Sequence, residues 1–321
     1  MNRPSAVPPP VTAVLDASSR WLPARLGEVE ELLRDSIGGH GELLGGDAGE
    51  TLAAGGKRLR PMLVLLCAGQ DGAEAAVRAA TATELVHMAT LVHDDVLDAA
   101  PLRRGTPTVV ATAGRERAVA TGDLLLSRAF ALLAGAGDTR AAALLAEASV
   151  ALARGELIQR QDAFDTAISE HRYLERCRLK TAQLFACACQ LGRDEPALRE
   201  FGTEIGLAFQ LLDDVLDVSG PPERTGKARG TDLLDGTVTL PLIEAIAADT
   251  ELAKTDLRAL DAAAAERLCD RIAATGALEK VRARALELVA AAKRRLEEDG
   301  LEPEQAGLLR LVADGVVQRY S

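Results

Sequence analysis

Aromatic side chains are scarce: the 321 residues include one Trp, two Tyr and five Phe, 2% of the chain. A sandwich or barrel built on aromatic and β-branched strands is therefore disfavoured. Cysteine offers no framework either. Cys67, Cys177, Cys187, Cys189 and Cys269 are odd in number and form no C-x-x-C pair, which speaks against disulfide staples and zinc and fits a reducing, cytoplasmic setting. No stretch approaches the ~18 uninterrupted apolar residues of a membrane span, and the N-terminus carries no apolar signal core. A soluble protein with no transmembrane segment is expected. Positive charge is in deficit, with 37 basic against 48 acidic residues and a net charge of −11. Such a balance lacks the basic footprint that a nucleic-acid backbone needs, so no nucleic acid is expected as a partner.

What the chain does have is apolar mass: 48% of it is hydrophobic, mainly Ala, Leu and Val. That is enough to bury a core, and disorder is excluded for the bulk of the sequence. Apolar residues recur at three and four spacing through most of the chain, so the fold class is all-α. Helices are predicted over 12–37, 58–70, 73–98, 113–135, 138–164, 170–191, 195–218, 239–248, 253–274, 277–298 and 303–319. A Pro-rich tail over residues 1–11 reads as disordered, and residues 12–321 read as a single domain, with no Ser- or Gly-rich linker to divide them. Two polar, glycine-bearing interruptions, 99–112 and 219–239, read as functional loops.

One pentapeptide, Asp-Asp-Val-Leu-Asp, occurs twice, as Asp94, Asp95 and Asp98 and as Asp213, Asp214 and Asp217. Each copy ends a predicted helix. Carboxylates three and four apart project from one helix face, where they repel one another and the negative end of the helix dipole. Cations would relieve both costs. Hard oxygen ligands without His or Cys suit magnesium, whose shell is usually completed by water and substrate phosphates. Basic groups occur nearby in the sequence: Lys57 and Arg60 at a helix start, Arg103 and Arg104 after the first cluster, and Lys227 in the second loop. Such side chains recognise diphosphates. A di-iron reading of Glu84-Leu85-Val86-His87 fails, because no second E-x-x-H exists to complete the site.

Several segments together resemble one family. Gly55–Pro61 (GGKRLRP), His87–Thr108 with its DDxxD and RRG, Gly122–Phe130 (GDLLLSRAF), Lys180-Thr181-Ala182, Phe209–Asp217 (FQLLDDVLD) and Gly226–Pro241 are similar to the trans-type isoprenyl diphosphate synthases, or polyprenyl synthetases. GDLLLSRAF is most like the long-chain bacterial members. The resemblance implies an isoprenoid-synthase-type helical bundle around a deep central cavity, usually a homodimer. It implies head-to-tail joining of isopentenyl diphosphate to an allylic diphosphate, with three magnesium ions bound with the substrate diphosphate. Asp94, Asp98 and Asp213 would be the main metal ligands, supported by Asp95, Asp214 and Asp217. Lys57, Arg60, His87 and Arg104 would hold isopentenyl diphosphate. Arg103, Lys180, Thr181, Gln210 and Lys227 would surround the allylic substrate. Thr237 stands where the family commonly has a second lysine, and Lys227 or Arg229 is expected to compensate.

Val86, Ala89 and Thr90 lie eight, five and four residues before Asp94, one to two turns of about 5.4 Å along the helix. In the family, bulky residues at these depths stop elongation; here all three are small, which implies a product of about C30 to C50. Geranylgeranyl or farnesyl diphosphate synthesis is the alternative within the family. A class I terpene cyclase would carry a different second metal motif, and a non-catalytic subunit of a heteromeric synthase would be expected to have lost its acidic motifs.

Overall fold

The structure is a computed structural model describing residues 9–18, 21–53, 55–70, 72–103, 105–220, 229–298 and 301–318. Helices dominate it, as expected. They divide into two compact units: one comprises Met1–Ser149, Cys187–Arg199 and Gly300–Val312, the other Val150–Ala186, Glu200–Asp299 and Ala313–Ser321.

The first unit opens with α1 (Pro9–Ala17), α2 (Trp21–Ile37), α3 (Gly41–Ala53), α4 (Leu59–Ala68) and α5 (Ala73–Leu97). The expected helix over 12–37 is two helices. Pro23 sits in the first turn of α2, where its missing N–H costs nothing, whereas inside a continuous helix it would break a hydrogen bond. The tail expected to be disordered lies outside the described residues up to residue 8, and α1 already begins at Pro9. Helix α3 was not expected, since Gly41, Gly45, Gly46 and Gly49 give it poor intrinsic propensity. Tertiary contacts hold it: the buried Asp47 accepts a two-pronged ion pair from Arg117, at 2.7 and 3.0 Å.

Helix α5 is the core of this unit. Every residue from Ala79 to Val86 is buried, and the buried hydroxyls of Thr81 and Thr83 donate back to the carbonyls of Val77 and Ala79, both at 2.8 Å. Small side chains let neighbouring helices come close. A Cβ on Gly122 would lie 2.2 Å from Nε2 of His93, so only glycine lets that ring rest on α7 (Arg115–Gly135). After α5 the first interruption is a two-stranded antiparallel hairpin, β1 (Leu102–Arg103) and β2 (Thr106–Pro107), turned at Gly105 with φ +77°. The short α6 (Val109–Ala113) follows, capped by the Thr108 hydroxyl. By length and composition α7 is apolar enough to cross a membrane, the one such helix among the described residues. It nonetheless carries Arg117, Asp123 and Arg128, and Arg128 donates to the Ser36 carbonyl at 2.9 Å.

The remaining helices are α8 (Thr139–Gln161), α9 (Glu170–Cys177), α10 (Gln183–Gly192), α11 (Pro196–Ser219), α12 (Thr231–Leu234), α13 (Leu240–Ala248), α14 (Ala262–Ala274), α15 (Ala277–Glu298) and α16 (Pro303–Gln318). The expected helix over 253–274 resolves into two 3-10 turns, Thr250–Lys254 and Leu257–Ala259, followed by α14 capped by Asp261. Between α9 and α10 the chain winds as a π-helix over Arg178–Ala182. Residues 221–228, with Gly226 and Lys227, lie outside the described residues, as does Arg104.

Within the first unit, α16 has a definite task. Gln305 donates to the Leu66 and Cys67 carbonyls at 2.7 and 2.9 Å, satisfying acceptors that the end of α4 leaves open. Gly192, ending α10, lies so near α4 that a Cβ would sit 2.3 Å from the Val64 carbonyl oxygen. Gly192→Ala should therefore destabilise the protein by about 1–3 kcal/mol through overpacking. Thermal denaturation checks it, and an unchanged melting temperature would contradict the close approach.

Candidate active site

The first acidic cluster ends α5, and its three carboxylates face different surroundings. Asp95 is 6% exposed and accepts a hydrogen bond from Nε of Arg103 at 2.8 Å. The hairpin thus returns Arg103 to the helix it follows, and Asp95 orients the arginine. Asp94 is half-buried and Asp98 exposed. At 100° per residue, His87, Thr90, Leu91, Asp94 and Asp98 form one stripe, and none of these five is buried. Val86 and Ala89 are turned away from it and buried. Of the three expected chain-length positions, only Thr90 lies in line with Asp94, with its hydroxyl donating to the His87 carbonyl at 2.8 Å.

Lys57 is exposed and Arg60, in the first turn of α4, is half-buried. Between them Arg58 takes a left-handed backbone, φ 48° and ψ 34°, a conformation that costs a non-glycine residue about 1–3 kcal/mol. Its guanidinium compensates: it pairs with Glu30 of α2 and reaches Oε1 of Glu84 on α5 at 2.8 Å. Glu84, weighed above as half of an iron motif, is the buried partner of this arginine.

The second cluster lies near the end of α11 in the other unit. Asp214 is 2% exposed. Its Oδ2 accepts from the Tyr173 hydroxyl, and its Oδ1 accepts from Nε2 of Gln210 at 2.8 Å. Gln210 in turn accepts at Oε1 from the Thr181 hydroxyl at 2.7 Å. Burial, and then the charge of Asp232, push the Asp214 carboxyl up to about 7 against the pull of these donors. Asp213 is exposed, and half-buried Asp217 accepts at Oδ2 from the Asp232 N–H at 3.3 Å. The two clusters share one design: the second Asp is buried and held by protein donors, while its neighbours are half-buried or exposed.

Glycines set this geometry. A Cβ on Gly206 would lie 2.6 Å from Cα of Ala182, and one on Gly202 would lie 2.7 Å from the Phe185 carbonyl oxygen. Spaced four apart, they press α11 against the end of the π-helical segment and the start of α10, and one turn further along stands Gln210, within reach of Thr181. On α8, a Cβ on Gly155 would come within 2.5 Å of the Lys180 backbone nitrogen. The next residue, Glu156, forms an ion pair with the Lys180 ammonium and accepts from Arg160 at 2.8 Å. Burial works against its charge, yet Lys180 and then Arg160 hold the Glu156 carboxyl below its ordinary range. A π-bulge of this kind often marks a functional site, and here it carries the expected Lys180 and Thr181.

Arg229, expected to compensate for Thr237, is engaged elsewhere. It donates to the Val218 carbonyl at 2.7 Å and to Asp270 at 2.9 Å. Beside Thr237, the Val238 carbonyl accepts from the buried Arg176 at 2.7 Å. Tyr173, Glu156, Gly155 and Arg58 were not singled out from sequence. The glycines inside α8 and α11 were the readable signal, since a mid-helix glycine costs about 1 kcal/mol and calls for a packing reason.

The donor set fits a hard divalent cation, being carboxylate oxygen throughout. No three His, Cys, Asp or Glu side chains among the described residues converge into a ready-made cage. A metal here would thus complete its shell with water and substrate oxygens, as magnesium does.

A family model described as polyprenyl synthetase matches residues 44–272, and the chain belongs to that family of prenyltransferases. Heptaprenyl diphosphate synthase component 2 of Geobacillus stearothermophilus is 43% identical over 242 residues, 72% of this chain and 76% of that protein. Geranylgeranyl diphosphate synthase of Methanosarcina mazei is 34% identical over 284 residues, 83% and 86% of the two chains. A crystal structure of polyprenyl synthase from Caulobacter crescentus, complexed with calcium and isoprenyl diphosphate, superposes with a TM-score of 0.89 at 34% identity, covering 96% of this chain and 98% of that one.

Gly155→Ala should displace the Lys180 backbone and destabilise the protein by about 1–3 kcal/mol through overpacking. Thermal denaturation checks this, and a melting temperature equal to that of wild type would contradict the close approach of α8 to the π-helical segment.

Proposed function

We propose that the protein is a magnesium-dependent prenyltransferase that condenses isopentenyl diphosphate head-to-tail with an allylic diphosphate, repeatedly, to make an all-trans product of about C30 to C50. The observation that carries the reading is the repeated acidic cluster, in which a buried, protein-held second Asp is flanked by more exposed carboxylates on two helices. Asp94, Asp98 and Asp213 would hold magnesium, with Asp217 in support. Magnesium supplies neutralisation of the diphosphate that departs as the allylic carbon–oxygen bond breaks. Asp95 and Asp214 keep the clusters in shape through Arg103, Tyr173 and Gln210. Lys180, Thr181 and Gln210 orient the allylic diphosphate, and Arg103 adds a fixed cation. Lys57, Arg60 and His87 hold isopentenyl diphosphate. Arg104 and Lys227 keep the roles that the family resemblance gives them.

Product length rests on the stripe below Asp94. Thr90 is small and faces the open side of α5, and Val86 and Ala89 add no bulk that would press it outward. Relatives are named for geranylgeranyl as well as heptaprenyl products, so product length here is set by this chain's own residues.

A homodimer is part of the proposal. Ala143, Ala146, Val150, Ala153 and Leu157 on α8 are all exposed, with Val150 at 60% and Leu157 at 63%. Their three-and-four spacing is that of a helix–helix seam, which a second copy would cover. The name of the Geobacillus relative, component 2, favours a second reading in which a different subunit completes the enzyme. The five cysteines are free thiols, all buried, in keeping with a reducing cytoplasm.

The test is incubation of the purified chain alone with magnesium, labelled isopentenyl diphosphate and allylic primers of increasing length, followed by product sizing for wild type and Thr90→Phe. The expected result is an EDTA-sensitive ladder beyond C25 that shortens in the variant. A stop at C20 in wild type would refute the long-chain reading, identical ladders would refute the role of Thr90, and no turnover by the chain alone would refute self-sufficiency.

A further inference from the structure

Arg58 occupies a position where its own backbone is unfavourable, φ 48° and ψ 34°, a conformation that a glycine would adopt at less cost. The side chain is therefore what the position uses. Its guanidinium spans two helices: Nε and Nη2 address the two carboxylate oxygens of Glu30 on α2, the latter at 3.4 Å, and Nη1 reaches Glu84 on α5 at 2.8 Å. The Arg58 side chain is 12% exposed and that of Glu84 4%. Burial opposes the charge, and Glu30 and Glu84 more than offset it, so the Arg58 pKa rises above its ordinary value.

Placement gives this pair its meaning. Lys57 precedes Arg58, Arg60 follows it by two residues in the first turn of α4, and Glu84 is one helical turn before His87. A single planar fork therefore ties the segment bearing two cations to the helix bearing the histidine. A planar, delocalised guanidinium can hold three acceptor oxygens in a fixed arrangement, which a lysine ammonium on a flexible stem cannot.

We infer that Arg58 and Glu84 are positioning residues that hold Lys57, Arg60 and His87 in register for one diphosphate group. The inference rests on the proposed isopentenyl diphosphate role of those three residues and adds the device that arranges them. Arg58 and Glu84 touch no substrate; they remove from binding the cost of assembling three separate cationic or polar groups around an anion. Loss of the fork should therefore weaken binding of one substrate and spare the other.

The experiment compares wild type with Arg58→Lys, Arg58→Gly and Glu84→Gln, measuring the Michaelis constants for isopentenyl diphosphate and for the allylic diphosphate separately, with a melting curve for each. Glu84→Gln is nearly isosteric and guards against loss of the fold, and Arg58→Gly relieves the backbone while removing the fork. The expected result is a rise in the isopentenyl diphosphate constant, on the order of tenfold to a hundredfold, in all three variants. The allylic constant should stay within about twofold of wild type. Unchanged isopentenyl diphosphate constants beside active wild type, or equal rises for both substrates, would overturn the positioning role and leave the proposed reaction standing. No consumption of isopentenyl diphosphate by wild type would overturn the self-sufficient reaction and the positioning role that rests on it together.

Discussion

A carboxylate taken out of water must be met by donors, or it costs more than the fold can bear. The structure meets this demand in each acidic cluster at the second aspartate. Asp95 is met by Arg103 of the hairpin, and Asp214 by Tyr173 and Gln210. Both solutions anchor something else of use. The first fixes an arginine beside Asp94 and Asp98; the second joins α9, the π-helical segment and α11 into one hydrogen-bonded chain that ends at Thr181. The more exposed carboxylates of each cluster can therefore be arranged for a cation by a neighbour that never needs to bind one.

Close backbone approach is the second theme. Gly122 admits the His93 ring, Gly155 admits the Lys180 backbone, and Gly202 and Gly206 admit the segment from Ala182 to Ala186. An Ala-rich, aromatic-poor composition now has a structural sense: small residues bring helix backbones together, and the larger polar side chains are thereby placed within hydrogen-bond reach. Where two aromatic rings do meet in the second unit, Phe185 and Phe209 stand 5.5 Å apart at a tilt of 41°, a favourable offset geometry.

Much of this was legible from the residues alone. Helical periodicity located α7, α11, α15 and α16 to within a few residues, because each buries a regular apolar face, and α4 and α5 were located as closely although they are buried all round over Pro61–Cys67 and Ala79–Val86. The repeated DDVLD was legible because like charge on one helix face has no purpose in folding. Helix α3 was not, since its glycines argue against a helix and only the long-range Asp47–Arg117 pair reveals why one forms. The π-helix was hidden too, for one extra residue in a turn leaves the apolar pattern across 170–191 almost intact. Arg58 read as one basic residue in a basic run; its left-handed backbone and its two glutamate partners on α2 and α5 are tertiary facts. The same limit applies to Ala89 and Thr90, adjacent in sequence yet respectively closed off and open, a distinction that depends on what packs around α5.

The central claim is that both acidic clusters hold magnesium together with diphosphate, and calorimetric titration of inorganic diphosphate with and without magnesium tests it most directly, using wild type, Asp94→Asn and Asp213→Asn. The expected result is magnesium-dependent binding by wild type that weakens at least about tenfold in each variant, in line with the loss of a charge-assisted metal ligand. Wild-type affinity retained in either variant, or binding indifferent to magnesium, would contradict the claim.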